Sequence, residues 1–271
     1  MPSNAETSPP LHPQPMPTDP LFYIIGLSVI FVMALARGAF GGGFAVIGVP
    51  LLALVVDPIT ATAMMAPIGS ASDPFALWAF PPRHWSKPDL VWLVPGMLVG
   101  LALGAIFFVQ VDPRLVALAI SIITLWFCLR WFLSGRHAAA SGSGLPVQPV
   151  KAMICAAISG FSTFIAHAGN PPLAYYLLPR GLHKTVYVST LVAIFLVSNT
   201  IKLFIYIWLF RDQPVIFLMA LSLMPALPIG TWVGRKLHDR LSERMLYLAL
   251  YSLLAVAGVK LFVDSLQKLM G

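Results

Sequence analysis

The sequence predicts an all-α membrane protein made of two inverted repeats, each a broken re-entrant helix hairpin followed by about three transmembrane helices. Three observations predict this fold. The 271-residue chain is 58% hydrophobic and 10% charged, whereas a soluble domain carries about 25% charged residues. Its apolar stretches approach the roughly 20 residues that cross a bilayer as a helix. The two halves of the chain also share short motifs.

The apolar stretches divide the chain into four parts. In the first half they cover 21–36, 44–56, 60–80, 90–109 and 114–133, and in the second 151–166, 171–179, 186–209, 214–234 and 244–263. We therefore place membrane repeat 1 at residues 21–133 and membrane repeat 2 at residues 151–271. The Pro-rich residues 1–20 lack the basic residues of a signal peptide, so we expect a disordered tail. Residues 134–150 are rich in small residues and are predicted to form a cytoplasmic linker.

The repeat is visible in two pairs of segments. VPGMLVGLALG at 94–104 matches MPALPIGTWVG at 224–234, which aligns Pro95 with Pro225 and Gly100 with Gly230. Further upstream, AGNPPLAYYLL at 168–178 aligns with GGGFAVIGVPLL at 41–52. We expect the glycines of the first pair to allow close helix packing, as small residues do in membranes.

The first apolar region of each half is interrupted. Residues 21–36 and 44–56 are separated by the run from Arg37 to Gly43, and the second piece is too short to cross a bilayer. The corresponding piece at 171–179 is shorter still. Two short helices around a glycine-rich break predict a re-entrant hairpin, which enters the membrane and returns to the same side.

Charge supports this count of crossings. With one hairpin and three crossings in each half, one side receives most basic loop residues: Arg83, Lys87, Arg130, Arg136, Lys151, Arg180, Lys184, Arg235, Lys236, Arg240 and Arg244. The other side receives Arg114, Arg211, Lys260 and Lys268. Because basic loops stay in the cytoplasm, the halves are predicted to be inverted and both termini to be periplasmic.

The second limbs of the hairpins predict an anion site. They begin near Gly43 and at Asn170, where Asn is a favourable N-cap and Pro171 suits a first helical turn. Two helix N-termini would then face the membrane centre, and N-termini favour anions. Gly41, Gly42 and Gly43 would let the backbone approach a ligand. The alternative is that these glycines serve helix packing.

Four ionisable side chains lie within apolar regions: Arg37, Asp73, His167 and Lys202. Such residues are costly in a bilayer and are candidates for function. Arg37 could bind an oxyanion or cap helix carbonyls. His167 could donate a hydrogen bond or carry a proton, or be a satisfied buried histidine. Asp73 aligns near Asn199 in the repeat, and we expect it to pair with Lys202 or Arg37 or to take up a proton.

The candidate site follows from these residues. The predicted substrate-binding residues are Arg37, Gly41, Gly42, Gly43, His167, Gly169, Asn170, Ser198, Asn199 and Lys202, with Asp73 as a proton-coupling or ion-pair residue. No catalytic residue, metal site, cofactor or nucleic-acid partner is predicted. Cys128 and Cys155 have no metal-site spacing and are expected to serve packing.

These segments resemble a known family. GAFGGGFAVIGVPLLAL at 38–54, the stretch at 83–133 and the segment at 166–199 resemble, in order and spacing, both repeats of the TauE/SafE sulfite-exporter-like permeases. The resemblance covers about residues 21–266. It implies a bacterial inner-membrane carrier for sulfite, organosulfonates such as sulfoacetate, or carboxylates. It also implies that Gly41, Gly42, Gly43, Gly169 and Asn170 form the substrate region.

The second repeat departs from the family pattern, which leaves the identity of the anion open. His167-Ala168-Gly169-Asn170-Pro171 stands where a fuller glycine run is usual, and Tyr175-Tyr176 replaces Val-Pro. The predicted function is secondary transport of a small, sulfur-containing anion by alternating access. Its partners are the anion and the lipid bilayer, with protons as a candidate coupling ion.

Two other classes of function stay open at this point. An anion channel or a carboxylate carrier would fit the same pattern. An intramembrane enzyme would need a nucleophile beside a histidine or two membrane carboxylates. Ser159 and Ser162 lie near His167 but lack the usual Gly-x-Ser-Gly context, and Asp73 is the one central carboxylate.

Overall fold

A computed structural model of the protein describes residues 19–40, 47–110, 112–134, 145–237 and 243–270. Nearly all of the predicted tail, much of the predicted linker and Gly41, Gly42 and Gly43 lie outside these ranges. The first half contains α1 (Pro20–Phe40), α2 (Gly48–Leu52), α3 (Pro58–Ala79), α4 (Lys87–Gln110) and α5 (Pro113–Ser134). The second half contains α6 (Pro149–Ala166), α7 (Asn170–Leu177), α8 (Lys184–Leu209), α9 (Pro214–Leu223), α10 (Ala226–Leu237) and α11 (Glu243–Met270). The predicted all-α class is confirmed for the described residues.

Several of these helices are suited to a bilayer. Five described stretches are long and apolar enough to cross a membrane: Pro20–Arg37, Lys87–Gln110, Pro149–Ala166, Thr185–Leu209 and Pro214–Lys236. Large apolar side chains such as Leu133, Val150 and Phe204 are exposed on the helix surfaces. Hydrocarbon accepts such a surface and water does not. The chain is a multi-pass membrane protein.

Two helix boundaries differ from the sequence-based prediction. The first helix was expected to end at residue 36, but α1 continues to Phe40. A single glycine, Gly38, costs a helix only about 1 kcal/mol and does not end it. The stretch 214–234 was expected to be continuous, but it divides between Leu223 and Ala226. Pro225 lies in this gap, and its missing N–H cannot continue the helical hydrogen bonding.

Glycines bring α4 and α6 into close parallel contact. A Cβ atom on Gly96 would lie 2.4 Å from the Met153 carbonyl oxygen, and one on Gly100 would lie 2.0 Å from that of Ala157. Both distances are far shorter than any real contact, so these positions require glycine. Residue numbers rise together along the two helices, which shows that they run in the same direction. Gly100 therefore serves packing, as predicted.

The other half repeats this contact. Gly26 of α1 lies beside Leu223 of α9, and a Cβ atom on Gly230 of α10 would lie 2.5 Å from the Phe31 carbonyl oxygen. The first helix of each half therefore packs in parallel against helices of the other half, α6 against α4 and α1 against α9 and α10. By contrast, α5 and α11 run antiparallel, because Gly258 lies beside Thr124 while the Cys128 Sγ is 3.8 Å from the Tyr251 carbonyl oxygen.

One end of the molecule carries most of the described basic side chains, and we call it the basic end. The helices α4, α6 and α11 begin there, and α3, α5 and α10 end there. Two contacts tie these helix ends together: Arg235 of α10 stacks on Trp78 of α3, and Tyr176 of α7 bonds Asp89 of α4. The basic residues of this end are Arg83, Lys87, Arg130, Lys151, Arg180, Arg235 and Lys236.

Candidate functional site

Two buried polar clusters meet on one turn of α8, at residues 198–202. The first cluster surrounds the carboxylate of Asp73 in α3, and the second surrounds the ammonium group of Lys202 in α8. Both clusters lie between helices expected to cross the membrane, where a polar group must find its partners within the protein.

Asp73 is the centre of the first cluster and is only 3% exposed. Asn199 Nδ2 lies 3.1 Å from each carboxylate oxygen, and Arg37 Nη2 lies 3.1 Å from Oδ1. Arg37 Nη1 donates to the hydroxyl of Ser72. Of the two pairings expected for Asp73, the described residues therefore contain the pairing with Arg37. No ion pair between Asp73 and Lys202 is present in this part of the chain.

The contact between Asp73 and Asn199 joins the two halves. The sequence comparison places the repeat partner of Asp73 near Asn199, and the structure brings these two side chains into direct contact. Ser70 Oγ also donates to the Asn199 carbonyl oxygen at 3.2 Å. Gly69 leaves room for the amide, since a Cβ atom there would lie 3.5 Å from Asn199 Oδ1. The two halves therefore meet where α3 crosses α8.

Lys202 is the centre of the second cluster and is completely buried. Its Nζ lies 3.3 Å from the Thr163 carbonyl oxygen, 3.1 Å from Thr163 Oγ1 and 3.2 Å from His167 Nδ1. His167 Nε2 lies 3.2 Å from the Thr62 carbonyl oxygen. A carbonyl can only accept, so we assign the ring hydrogen to Nε2 and the acceptor role to Nδ1. All three ammonium hydrogens then have partners, and each partner is uncharged.

His167 also has an unusual backbone conformation. Its φ is 52°, and it is the one non-glycine residue with positive φ in the described part of the chain. This left-handed residue ends α6, with its N–H bonded to the Thr163 carbonyl oxygen at 3.1 Å. A non-glycine residue in this conformation costs about 1–2 kcal/mol. The contacts of the ring with Lys202 and Thr62 offset this cost.

The start of α7 corrects one prediction. Asn170 was expected to be the N-cap, but Gly169 occupies that position and Asn170 is the first helical residue, without a capping bond. Pro171 and Pro172 explain this. A capping side chain at position 170 would first accept a hydrogen bond from the N–H group of residue 172, and a proline has no N–H group. A Cβ atom on Gly169 would lie 2.8 Å from Ser159 Oγ, so this position has no room for a side chain.

Two polar atoms near these clusters lack a protein partner. Ser198 Oγ is completely buried, and Asn170 Oδ1 is also shielded from solvent, yet neither has a hydrogen bond. A buried polar group without a partner costs about 1–3 kcal/mol. The Ser198 hydroxyl is therefore available to donate to a ligand oxygen, whereas Asn170 Oδ1 can only accept a hydrogen bond. With Lys202 protonated and Asp73 ionised, the formal charges of Arg37, Lys202 and Asp73 sum to +1, which favours an anion.

The comparison with known proteins agrees with this charge. The chain matches the family model described as Sulfite exporter TauE/SafE over residues 26–261. The chain belongs to this family. No curated protein and no solved structure shows significant similarity to it. The match spans both halves of this TauE/SafE protein, and every residue of the two clusters lies inside it.

Some polar residues of this TauE/SafE protein were missed by sequence reasoning. Thr62 and Thr163 contact His167 and Lys202, while Ser159 Oγ donates to the Gly169 carbonyl oxygen at 2.6 Å. Threonine and serine are common in membrane helices, where they often bond their own backbone, so they give little signal. The available signal was their position one or two turns before His167, for Thr163 and Ser159, or on α3, for Thr62.

A second buried ion pair was also missed. Asp89 has no exposed surface and receives bonds from Tyr176 Oη at 2.7 Å, Arg180 Nε at 2.9 Å and Ser86 Oγ at 2.6 Å. Arg180 also donates to the Leu145 carbonyl oxygen. Arg180 was expected only to contribute charge to a loop. In the TauE/SafE fold of this chain it fastens the end of α7 to the start of α4.

Proposed function

We propose that this TauE/SafE protein is a secondary transporter of a small, sulfur-containing anion, either sulfite or an organosulfonate such as sulfoacetate. The anion would cross the bacterial inner membrane. The observation that carries the proposal is the convergence of two buried clusters, with a net charge of +1, on residues 198–202. The family description, a sulfite exporter, favours a sulfur oxyanion over other anions.

The proposed site lies around this turn of α8. Arg37 is 27% exposed and uses only part of its fork of donors, so it can bind anion oxygens. Ser198 Oγ can donate another bond, and the N-terminus of α7 at Gly169 and Asn170 adds partial positive charge. Lys202 adds a second positive charge when it is protonated. The remaining predicted residues stay part of this proposal: Asn199, His167, and Gly41, Gly42 and Gly43, which lie outside the described residues.

The helix dipoles contribute less to the attraction of the anion than the sequence predicted. The described part of the second limb in the first half is α2, which has only five residues. So short a helix has a weak dipole, and its predicted start at Gly43 is outside the described residues. We therefore assign most of the attraction for the anion to Arg37 and Lys202, with α7 as the contributing helix N-terminus.

Alternating access between two inverted repeats is the proposed mechanism. The directions of the helices support it, because α1 begins at the end opposite the basic end while α6 begins at the basic end. Each hairpin returns to the end where it started. Two units, α1 with α10 and α4 with α6, would rock about the crossing of α3 and α8. We place the basic end in the cytoplasm and both termini in the periplasm.

Reconstitution in liposomes tests this function. Counterflow would be measured with sulfite, sulfoacetate, taurine, sulfate and acetate, because counterflow distinguishes a carrier from a channel. We expect saturable exchange of a sulfur oxyanion, and loss of that exchange in Arg37→Ala and Gly42→Leu. Arg114→Gln, a change at an exposed residue outside the site, should exchange normally. If the exchange rate is unchanged in both Arg37→Ala and Gly42→Leu, the proposed site is wrong.

A further inference from the structure

Basic side chains stack on exposed aromatic rings at the basic end. Arg130 lies 5.3 Å from the ring centre of Trp126, and Lys151 lies 4.7 Å from that of Tyr175. On α10, Arg235 lies 4.4 Å from the Trp78 ring, and Lys236 lies 3.8 Å from the Trp232 ring. All the cation–π pairs of the described residues therefore lie at one end. Tryptophan and tyrosine concentrate where hydrocarbon meets the lipid headgroups.

Arg235 and Lys236 form the densest part of this belt. They are adjacent, both are exposed, and the described ion pairs do not include them. Their indole partners are open to the surroundings, Trp78 at 70% and Trp232 at 58% exposure. The result is two positive charges held over two indole faces, without a carboxylate partner among the residues that the structure describes. An anionic headgroup at the membrane interface fits this arrangement.

An apolar groove runs between α1 and α10 below these charges. Its volume is about 540 Å³, and its walls include Leu27, Phe31, Pro225 and Ile229. The one polar wall residue is Ser28, whose hydroxyl donates to the Ile24 carbonyl oxygen at 2.6 Å. The groove therefore presents no unsatisfied polar group. It suits a hydrocarbon chain.

The groove and the charges lie on one stripe of α10. Ile229, Trp232 and Lys236 are spaced three and four residues apart and share a helix face. From Ala226, which also lines the groove, to Lys236 the helix rises roughly 15 Å at 1.5 Å per residue. One leaflet of a bilayer has about 15 Å of hydrocarbon. When Lys236 lies at the headgroups, the groove is therefore at the depth of the acyl tails.

We propose that this surface binds one anionic phospholipid. Its phosphate lies beside Arg235 and Lys236, and one acyl chain occupies the groove between α1 and α10. Charge complementarity selects an acidic headgroup, and the depth of the groove selects a full-length chain. This inference rests on the membrane location of the chain and does not depend on the identity of the transported anion.

Native mass spectrometry of the detergent-purified protein tests the proposal. Phosphatidylglycerol should bind more tightly than phosphatidylcholine with the same chains, and more tightly than short-chain phosphatidylglycerol. The double variant Arg235→Gln/Lys236→Gln should weaken phosphatidylglycerol binding about thirtyfold, from the usual contribution of two basic residues. The control Arg114→Gln/Lys260→Gln removes the same charge from exposed positions away from this surface and should leave binding unchanged.

A second variant separates the groove from the charges. Ser28→Phe fills the groove and keeps every charge, so we expect weaker binding of full-length phosphatidylglycerol and unchanged binding of the short-chain lipid. If the double variant fails to fold, Ser28→Phe still tests whether the groove binds an acyl chain. Three results would each overturn the proposal. The protein could bind phosphatidylglycerol and phosphatidylcholine with equal affinity, or the two double variants could lose the same amount of phosphatidylglycerol affinity. Ser28→Phe could also leave the binding of full-length phosphatidylglycerol unchanged.

Discussion

At the scale of single residues, Lys202 gives the sharpest prediction. Its ammonium group is buried among neutral acceptors on Thr163 and His167 and forms no ion pair with a described carboxylate, so its charge is available to attract an anion. Lys202→Met removes the charge and keeps an unbranched side chain. We expect the KM for the transported anion to rise at least about tenfold, the effect of losing a charge-assisted interaction of about 1.5 kcal/mol.

Counterflow as a function of anion concentration measures this change. Lys260→Met is the matched control, because Lys260 is exposed on α11 and is not one of the residues of the proposed site. A Lys202→Met protein with normal KM would show that the buried charge does not attract the anion.

His167 can be tested through its backbone as well as its ring. His167→Gly relieves the left-handed conformation but removes the acceptor for Lys202, whereas His167→Asn tolerates the conformation and can still accept a hydrogen bond. We expect the glycine variant to raise KM, and the asparagine variant to recover part of the lost affinity. Equal transport by both variants would assign the ring no role in holding Lys202.

The ionisable residues of the site were predictable because charge is rare within apolar stretches. The hydrogen-bond partners of these residues were not predictable. In the sequence, Lys202 and Arg37 were equally good candidates to pair with Asp73. Which of them pairs with Asp73 depends on how far α1 extends past residue 36. Asn170 was misassigned as a cap because the two prolines that follow it change which N–H groups exist.

At the scale of helices, the tight packing of α4 on α6 predicts a large effect of one methyl group. Gly100→Ala places a Cβ atom 2.0 Å from the Ala157 carbonyl oxygen, and backbone must move to relieve the contact. We expect a loss of about 1–3 kcal/mol, the usual cost of overpacking. Thermal unfolding in detergent measures it. Gly69→Ala is the control, because its nearest contact would be 3.5 Å, and a comparable loss there would contradict the argument.

The network around Asp89 predicts a second helix-scale effect. Asp89→Asn leaves the half-enclosed guanidinium of Arg180 without its counter-charge, and such a break costs about 3–5 kcal/mol when the partner stays buried. We expect a clear drop in melting temperature. Asp212→Asn breaks an exposed pair with Arg211 at 3.6 Å and should change nothing measurable. Similar melting temperatures for both variants would show that the buried network is not structural.

The sequence predicted which segments are helical more accurately than it predicted where those helices end. The apolar stretch 114–133 became α5 within one residue at each end, because hydrophobic length alone decides such a helix. The stretch 214–234 was divided at Pro225, although Pro95, its aligned partner, lies inside the continuous α4. Proline therefore does not by itself decide whether a helix divides, and the sequence could not predict which of the two aligned helices would do so.

At the scale of the whole molecule, the distribution of basic residues predicted one charged end, and the packing of the helices brings those residues together. The sequence could predict sides because the number of crossings between two loops decides whether those loops lie on the same side of the membrane. It could not reveal that α1 packs on α10 and α6 on α4, since this exchange between halves depends on close approaches at Gly100 and Gly230. These contacts divide each repeat between the two proposed rocking units.

The proposed orientation leads to a sided labelling prediction. Pro82 lies on an exposed turn at the basic end, and Asp212 lies on an exposed loop at the opposite end. The variants Pro82→Cys and Asp212→Cys therefore place one thiol at each end. The native Cys128 and Cys155 are buried, so the parent protein should give little background. In intact cells a membrane-impermeant thiol reagent should label Asp212→Cys and leave Pro82→Cys unlabelled until the membrane is permeabilised. Labelling of both positions in intact cells would contradict inversion of the halves, and the reverse pattern would place the basic end outside the cytoplasm.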